Sequence, residues 1–239
     1  AVSDDDAVGD DDAVGDDDDA VGDDDDATGL ELIALGWRLH DEIGSMAYVS
    51  WEQNVAATVW VEYSFEDDLW HSTPALDASA GEHEQIVLGV PFETDLLWRV
   101  TGDAGGTEVS ADGEPFTTGD YPEGLPKGVI TDTDPGAWEP TGNYLLSSVC
   151  EEIGSWDPGN YWTFIVDRQG RPVWASLAPD RHWTLFAQVS VDGTYILWDE
   201  TTWWLNWGQN HGAGTFIHKQ YLDAVIEVVP ADGIVHAFV

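Results

Sequence analysis

The sequence predicts an all-β chain in which a β-sandwich is followed by the first blades of an incomplete β-propeller, behind a disordered acidic N-terminal tail. Three observations carry this expectation. Apolar residues between 30 and 118 recur with a period of two in short runs cut by Gly, Asp and Pro, and no stretch there holds a helical period. After a Pro/Gly segment at 121–128, hairpin signals built on Asp and Gly recur with tryptophan beside them. Ahead of both lies a run of aspartate with no apolar face to bury.

The tail comes first. Residues 1–26 read AVSDDD, AVGDDD, AVGDDDD, AVGDDDD and hold 14 Asp, with no base and no aromatic. Too little apolar surface is present to offset the entropy of ordering, and like charges repel, so residues 1–28 are expected to form an extended, solvated tether. Clustered carboxylates are hard oxygen ligands, but a calcium loop needs alternating ligands, a glycine turn and a distal bidentate glutamate. Contiguous Asp therefore predicts only weak, diffuse Ca2+ association, with no other cofactor and no metal site.

The charge extends beyond the tail. With 7 Lys+Arg against 47 Asp+Glu, the chain carries −40. Such a field repels phosphate backbones and anionic headgroups, so nucleic acid is not an expected partner. No apolar run reaches the ~18 residues of a membrane helix, so no span is expected in this chain. Acidity of this kind suits a salt-exposed protein, because screening blunts self-repulsion, and points to an extracellular, cell-surface or periplasmic location. An export signal or anchor would lie upstream of the tail. Cys150 alone offers neither an internal disulfide nor a Cys-based zinc site, and His211 and His218, seven apart with no nearby Cys, do not have zinc spacing.

Residues 29–120 make the sandwich. Ala47, Val49 and Trp51 share one face of the first clear strand. Val59, Val61, Tyr63 and Phe65 then alternate with Thr58, Trp60, Glu62 and Ser64, and Leu96, Trp98 and Val100 repeat the pattern. A sandwich of roughly seven strands is the economical arrangement. The prolines of Tyr121-Pro122-Glu123-Gly124-Leu125-Pro126 favour extended geometry and place a boundary there.

Residues 129–239 change character. A strand is expected from Tyr144 to Val149, and a hairpin over 161–175 turning at Asp167-Arg168-Gln169-Gly170. A second hairpin is expected over 186–198 around Asp192-Gly193, and a third over 224–239 around Asp232-Gly233. Asp-Gly pairs suit the positive φ of tight turns. At about 40–45 residues per blade there is room for about two or three blades, with a second sandwich as the competing fold. An open arc of blades leaves sheet edges exposed, so the chain is expected to be a fragment of a longer ring.

Two resemblances follow from particular segments. Val87-Leu88-Gly89-Val90-Pro91-Phe92-Glu93-Thr94-Asp95-Leu96-Leu97-Trp98-Arg99-Val100 resembles the E-to-F corner of fibronectin type III domains, and Phe116-Thr117-Thr118-Gly119 resembles their closing strand. That family usually has a tyrosine where Leu96 stands, its hydroxyl tying the corner to the backbone. Leu96 cannot do so, and the corner is expected to be held by packing alone. Followed by Gly142-Asn143-Tyr144-Leu145-Leu146, Asp167-Arg168-Gln169-Gly170-Arg171-Pro172-Val173-Trp174 and Val235-His236-Ala237-Phe238, this domain is similar to the N-terminal half of the arylsulfotransferase family.

The second resemblance implies an exported enzyme with a small sandwich ahead of a six-bladed propeller. Such an enzyme moves a sulfuryl group from an aryl sulfate to a phenol without a nucleotide sulfate donor. It further implies a histidine nucleophile that is transiently sulfated, with His and Arg groups holding the sulfuryl oxygens; imidazole suits both roles. The nucleophile is expected downstream of Val239, so this chain alone is expected to be inactive. His236 matches one histidine of the family's paired motif and would be an auxiliary channel residue, although Val235 stands where the pair's first histidine would be. Its other reading is a strand histidine bonded to backbone.

Three further clusters leave alternatives open. Trp198, Trp203, Trp204 and Trp207 crowd ten residues, and Trp156, Trp162, Trp174 and Trp183 precede them. Core wedges are the ordinary use of such residues. The functional reading makes Trp203, Trp204 and Trp207 an aromatic platform for a ring-bearing ligand. His182 with Arg181 and Trp183 fits either an anion cluster or a blade edge. His211-Gly212-Ala213-Gly214 lacks the Lys-Ser/Thr of a phosphate loop and reads as a turn. The competing function is a non-catalytic secreted or surface module that binds a glycan or a protein.

Overall fold

The computed structural model describes residues 29–66, 69–137, 143–152, 158–178, 187–191, 193–200 and 216–230. The chain is all-β, and the described residues contain no α-helix beyond a single 3-10 turn at Pro135–Ala137. The acidic repeat, with the tether and calcium expectations attached to it, lies outside the described residues.

Nine strands form the first part. β1 (Leu32–Leu39), β2 (Ala47–Gln53) and β6 (Gly81–Val87) make one antiparallel sheet in the order β1-β2-β6. The second sheet contains β3 (Ala57–Glu66), β4 (Leu69–Ser72), β7 (Asp95–Ala104) and β8 (Thr107–Asp112) in the order β4-β3-β7-β8. Short β5 (Leu76–Ala78) pairs with β3, and β9 (Phe116–Thr117) with β7. The period-two pattern decides which faces meet. Val49, Trp51, Val59, Val61, Trp98 and Val100 are all buried in one core between the sheets. Two indoles in this core keep their polar edge satisfied: Trp51 Nε1 donates to Gln53 Oε1 at 3.0 Å and Trp98 Nε1 to the Glu114 carbonyl at 2.9 Å.

The corner after β6 is not held by packing alone, which corrects the expectation drawn from Leu96. Leu96 is buried against Phe116, its register partner on β9. The tie comes instead from Thr118, whose buried hydroxyl donates to the Pro91 carbonyl at 2.7 Å and accepts the Thr94 N–H at 2.9 Å. Tyr63 on β3 adds a second tie by donating its hydroxyl to the Leu88 carbonyl at 2.7 Å. A phenol absent from β7 is thus supplied by the strand beside it.

The second part consists of two up-and-down sheets. β10 (Tyr144–Glu152), β11 (Pro158–Asp167) and β12 (Pro172–Leu177) form the first, in chain order. β13 (Ala187–Val189), β14 (Tyr195–Glu200), β15 (Phe216–Tyr221) and β16 (Ile226–Pro230) form the second, also in chain order. A sandwich followed by blade-like sheets is therefore the observed architecture. The first two hairpins turn where Asp and Gly placed them: Gly170 and Gly193 take φ of +77° and +72°.

The third expected hairpin, over 224–239 around Asp232-Gly233, has its turn outside the described residues. A further hairpin, which no Asp-Gly pair marks, turns at Leu222–Val225 between β15 and β16. The physical reason is visible in the turn itself. Asp167 N–H donates to the Arg171 carbonyl and Gly170 N–H to the Asp167 carbonyl. Tyr221 and Val225, with Ala224 and Tyr221, repeat these two bonds. Ala224 occupies the glycine position at φ +67°, so the usual sequence marker is missing. An alanine in left-handed geometry costs about 1–2 kcal/mol. Ala224→Gly is accordingly expected to stabilise the protein by about 0.5–1 kcal/mol, net of glycine's greater chain entropy, and to raise the thermal midpoint by about 2 °C. A lowered midpoint in a thermal melt would count against this account of the turn.

The two parts share apolar contacts. Ile43 and Met46, in the β1–β2 connection, are buried with Trp174, Ile196 and Trp198 of the blade-like sheets. The Pro/Gly segment also packs: Leu125 is buried with Phe92, Trp162 and Ala175.

Candidate functional site

The junction of sandwich and first blade-like sheet encloses an open cleft of about 400 Å³. Tyr63, near the end of β3, and His71, on the paired edge strand β4, form one wall. Tyr144, the first residue of β10, with Ile165 on β11 and Trp174 on β12, forms the other. Gly89 lets the walls approach. Its φ is +84°, and a Cβ there would overlap the Tyr144 hydroxyl.

Two of the polar side chains around this cleft are engaged in the structure. Tyr63 donates to Leu88 as described, and Trp174 Nε1 donates to the Leu222 carbonyl at 3.0 Å. The Tyr144 and Ser72 hydroxyls are different, since neither has a side-chain hydrogen bond to protein among the described residues. The His71 ring stacks on Phe65, with centroids 5.1 Å apart, and on Tyr63 at 5.4 Å. Its Nε2 is buried with no partner among the described residues. Burial pushes the Tyr63 phenol up to about 12, with the neighbouring Tyr144 adding to the effect. Burial raises Tyr144 as well, helped by the Asp167 carboxylate.

Polar contacts fix the walls relative to each other. Arg171 donates to Asp167 Oδ2 at 2.7 Å within its own hairpin and reaches across to Glu66 at the end of β3. Burial disfavours its charge, but the two carboxylates more than offset this and raise its pKa. Ser45 Oγ donates to the Val173 carbonyl at 2.8 Å. His40 uses both ring nitrogens: Nε2 donates to the Asp223 carbonyl at 3.0 Å, while Nδ1 accepts the N–H groups of Glu42 and Ile43.

This arrangement suits binding. The cleft has aromatic and aliphatic walls, and no Asp, Glu, Lys or Arg lines it. Among the described lining residues His71 is the one imidazole, and no Lys or Arg stands beside it for sulfuryl oxygens and no carboxylate to orient it as a nucleophile.

His236, Trp203, Trp204 and Trp207 all lie outside the described residues, as do Arg181, His182, Trp183 and His211. His218 is described: on β15 it is buried and stacked on Trp198, with ring centroids 3.8 Å apart. Trp162, Trp174 and Trp198 are buried as core wedges. Sequence reasoning missed the group of Tyr63, His71 and Tyr144. The available signal was Tyr63 at the apolar end of β3's alternation and Tyr144 opening the strand after the boundary, but nothing local brings the two together.

The chain matches no family model, and no curated protein matches it.

Proposed function

We propose that this chain is the leading part of an exported arylsulfotransferase-like protein, in which a sulfuryl group passes from an aryl sulfate to a phenol through a sulfohistidine. The observation that supports this reading is the chain order. A two-sheet sandwich is followed by consecutive up-and-down sheets, the second with the four strands of a propeller blade. On this reading the sandwich is of the fibronectin type III kind and, with the two sheets, acts as scaffold. His236 assists the sulfuryl oxygens or the leaving group, and the nucleophile belongs to polypeptide beyond Val239. The aspartate repeat is a tether with weak, diffuse Ca2+ association that spaces the domains from an anchor outside the cell.

Transfer from 4-nitrophenyl sulfate to a phenol acceptor, followed by released nitrophenolate, tests the proposal. This chain alone is expected to give no turnover. The product of its uninterrupted reading frame is expected to turn over and to carry sulfate on histidine, and His236→Ala in that product is expected to lower kcat about 10²-fold. Turnover by this chain alone overturns the fragment reading. Absence of both turnover and sulfohistidine in the full-frame product overturns the transferase reading.

A second reading, a non-catalytic secreted or surface module for a glycan or protein partner, draws on the aromatic cleft, whose Tyr144 and Ser72 hydroxyls have no side-chain bond among the described residues. An inactive full-frame product that retains ligand binding supports it.

A further inference from the structure

We propose that the cleft between the sandwich and the first blade-like sheet binds a small, uncharged molecule carrying one or two flat rings and a single hydrogen-bonding group. This rests on the binding-module reading but puts a small ring-bearing ligand in this cleft in place of a glycan or a protein, and it holds whether or not sulfuryl transfer occurs.

Size comes first. About 400 Å³ lies within the ~300–1,000 Å³ of small-molecule sites, at the end that suits one or two rings. The walls offer ring faces from Tyr63, Tyr144 and Trp174 and aliphatic surface from Ile165 and Val173, a surface suited to stacking and apolar contact.

Charge then excludes most alternatives. No Lys or Arg is among the described residues that line the cleft, and the whole chain carries −40, so an anion meets no guanidinium or ammonium and an adverse field. Burial already holds the Tyr63 phenol up to about 12, and an environment that resists phenolate resists carboxylate and sulfate for the same reason. The same field and the ring faces attract an ammonium, but no carboxylate is among the described lining residues to replace its lost hydration by hydrogen bonding. A sugar is also a poor match. It presents several hydroxyls, each needing a directed partner, whereas the walls supply the Tyr144 and Ser72 hydroxyls and His71 Nε2, and none of the Asp, Asn, Glu or Arg groups that would complete such a set.

Those two hydroxyls decide what the ligand's polar group does. Each can donate or accept, and neither is engaged by another side chain or the backbone among the described residues. One N–H or O–H on the ring edge therefore finds a partner while the ring stays within the apolar walls. Tyr144 is also held against Gly89, so the hydroxyl's position is defined before a ligand arrives.

The test uses the full chain with indole as the uncharged probe, indole-3-carboxylate as its anionic counterpart and glucose as the sugar. Binding is followed by calorimetry and by the NMR signal of the Ile165 δ1 methyl. Indole is expected to bind and to shift that methyl, indole-3-carboxylate to bind at least about tenfold more weakly, and glucose to leave the methyl unmoved. Ser72→Trp, at an exposed position on edge strand β4, fills the mouth, and Tyr144→Ala removes half of one wall. Both are expected to weaken indole about tenfold while leaving circular dichroism unchanged. An unmoved Ile165 methyl at saturating indole overturns the proposal. So does equal indole affinity in both variants, or carboxylate or glucose binding as tight as indole. Failure here leaves the transfer assay standing, and an inactive enzyme leaves this binding standing.

Discussion

Replacing Trp174 with alanine is expected to lower the unfolding free energy by about 3–5 kcal/mol, the range for a fully buried indole. Trp174 is only 2% exposed and belongs to the cluster that joins the sandwich to the blade-like sheets through Ile43 and Met46. Its removal opens a void between Met46, Ile196 and Trp198 and leaves the Leu222 carbonyl without its indole donor. The sandwich keeps its own core of Val49, Trp51, Val59, Val61 and Trp98, in which Trp174 has no part. The loss should therefore show in a urea titration as a second transition at lower denaturant, with the sandwich transition unmoved. Trp174→Phe keeps most of the volume and loses the hydrogen bond, for an expected cost of about 1–2 kcal/mol. A loss below 1 kcal/mol in the alanine variant would mean that the shared cluster contributes little to docking.

Alkaline pH is expected to produce the second large effect, through Tyr63. Its phenol is raised from 10.0 to about 12, first by burial and then by Tyr144. Below pH 10 the proton is bound in both folded and unfolded chains, and the full stability is present. Above pH 10 the unfolded chain releases the proton while the folded chain retains it, so stability falls as pH rises to about 12. The loss over that window is about 2–3 kcal/mol. Chemical unfolding at pH 8, 10 and 12 measures it. Tyr63→Phe has no proton to lose and should flatten this part of the profile, at the cost of its bond to the Leu88 carbonyl. An identical alkaline decline in both proteins would assign the effect elsewhere.

The strands of the sandwich were legible because one side of each faces a core. The alternation Val59, Val61, Tyr63 and the run Leu96, Trp98, Val100 map directly onto buried positions. The turns at Gly170 and Gly193 were legible because glycine and aspartate tolerate positive φ. The turn at Ala224 was not, because the same geometry is forced on an ordinary residue by its two flanking hydrogen bonds. The corner at Pro91–Thr94 shows another limit. Leu96 marks the missing phenol in its own strand, but the substitute donors, Tyr63 and Thr118, sit about 25 residues away on either side and are visible only once the strands pair. The cleft was illegible for a related reason. Tyr63, His71, Tyr144 and Trp174 come from two separately patterned regions, and their meeting depends on docking, which no periodicity encodes.

The short β1–β2 connection, residues 40–46, belongs to the packing of both halves, and its bonds reach far along the chain. Ser45 meets Val173 across 128 residues, and His40 meets Asp223 across 183. Contacts of such sequence separation close slowly, because the entropy of the intervening loop must be overcome before any contact is gained. The blade-like sheets can condense as local meanders and the sandwich through its own β2–β6 and β3–β7 pairings, and this connection then closes late, so its formation times the arrival of the assembled state.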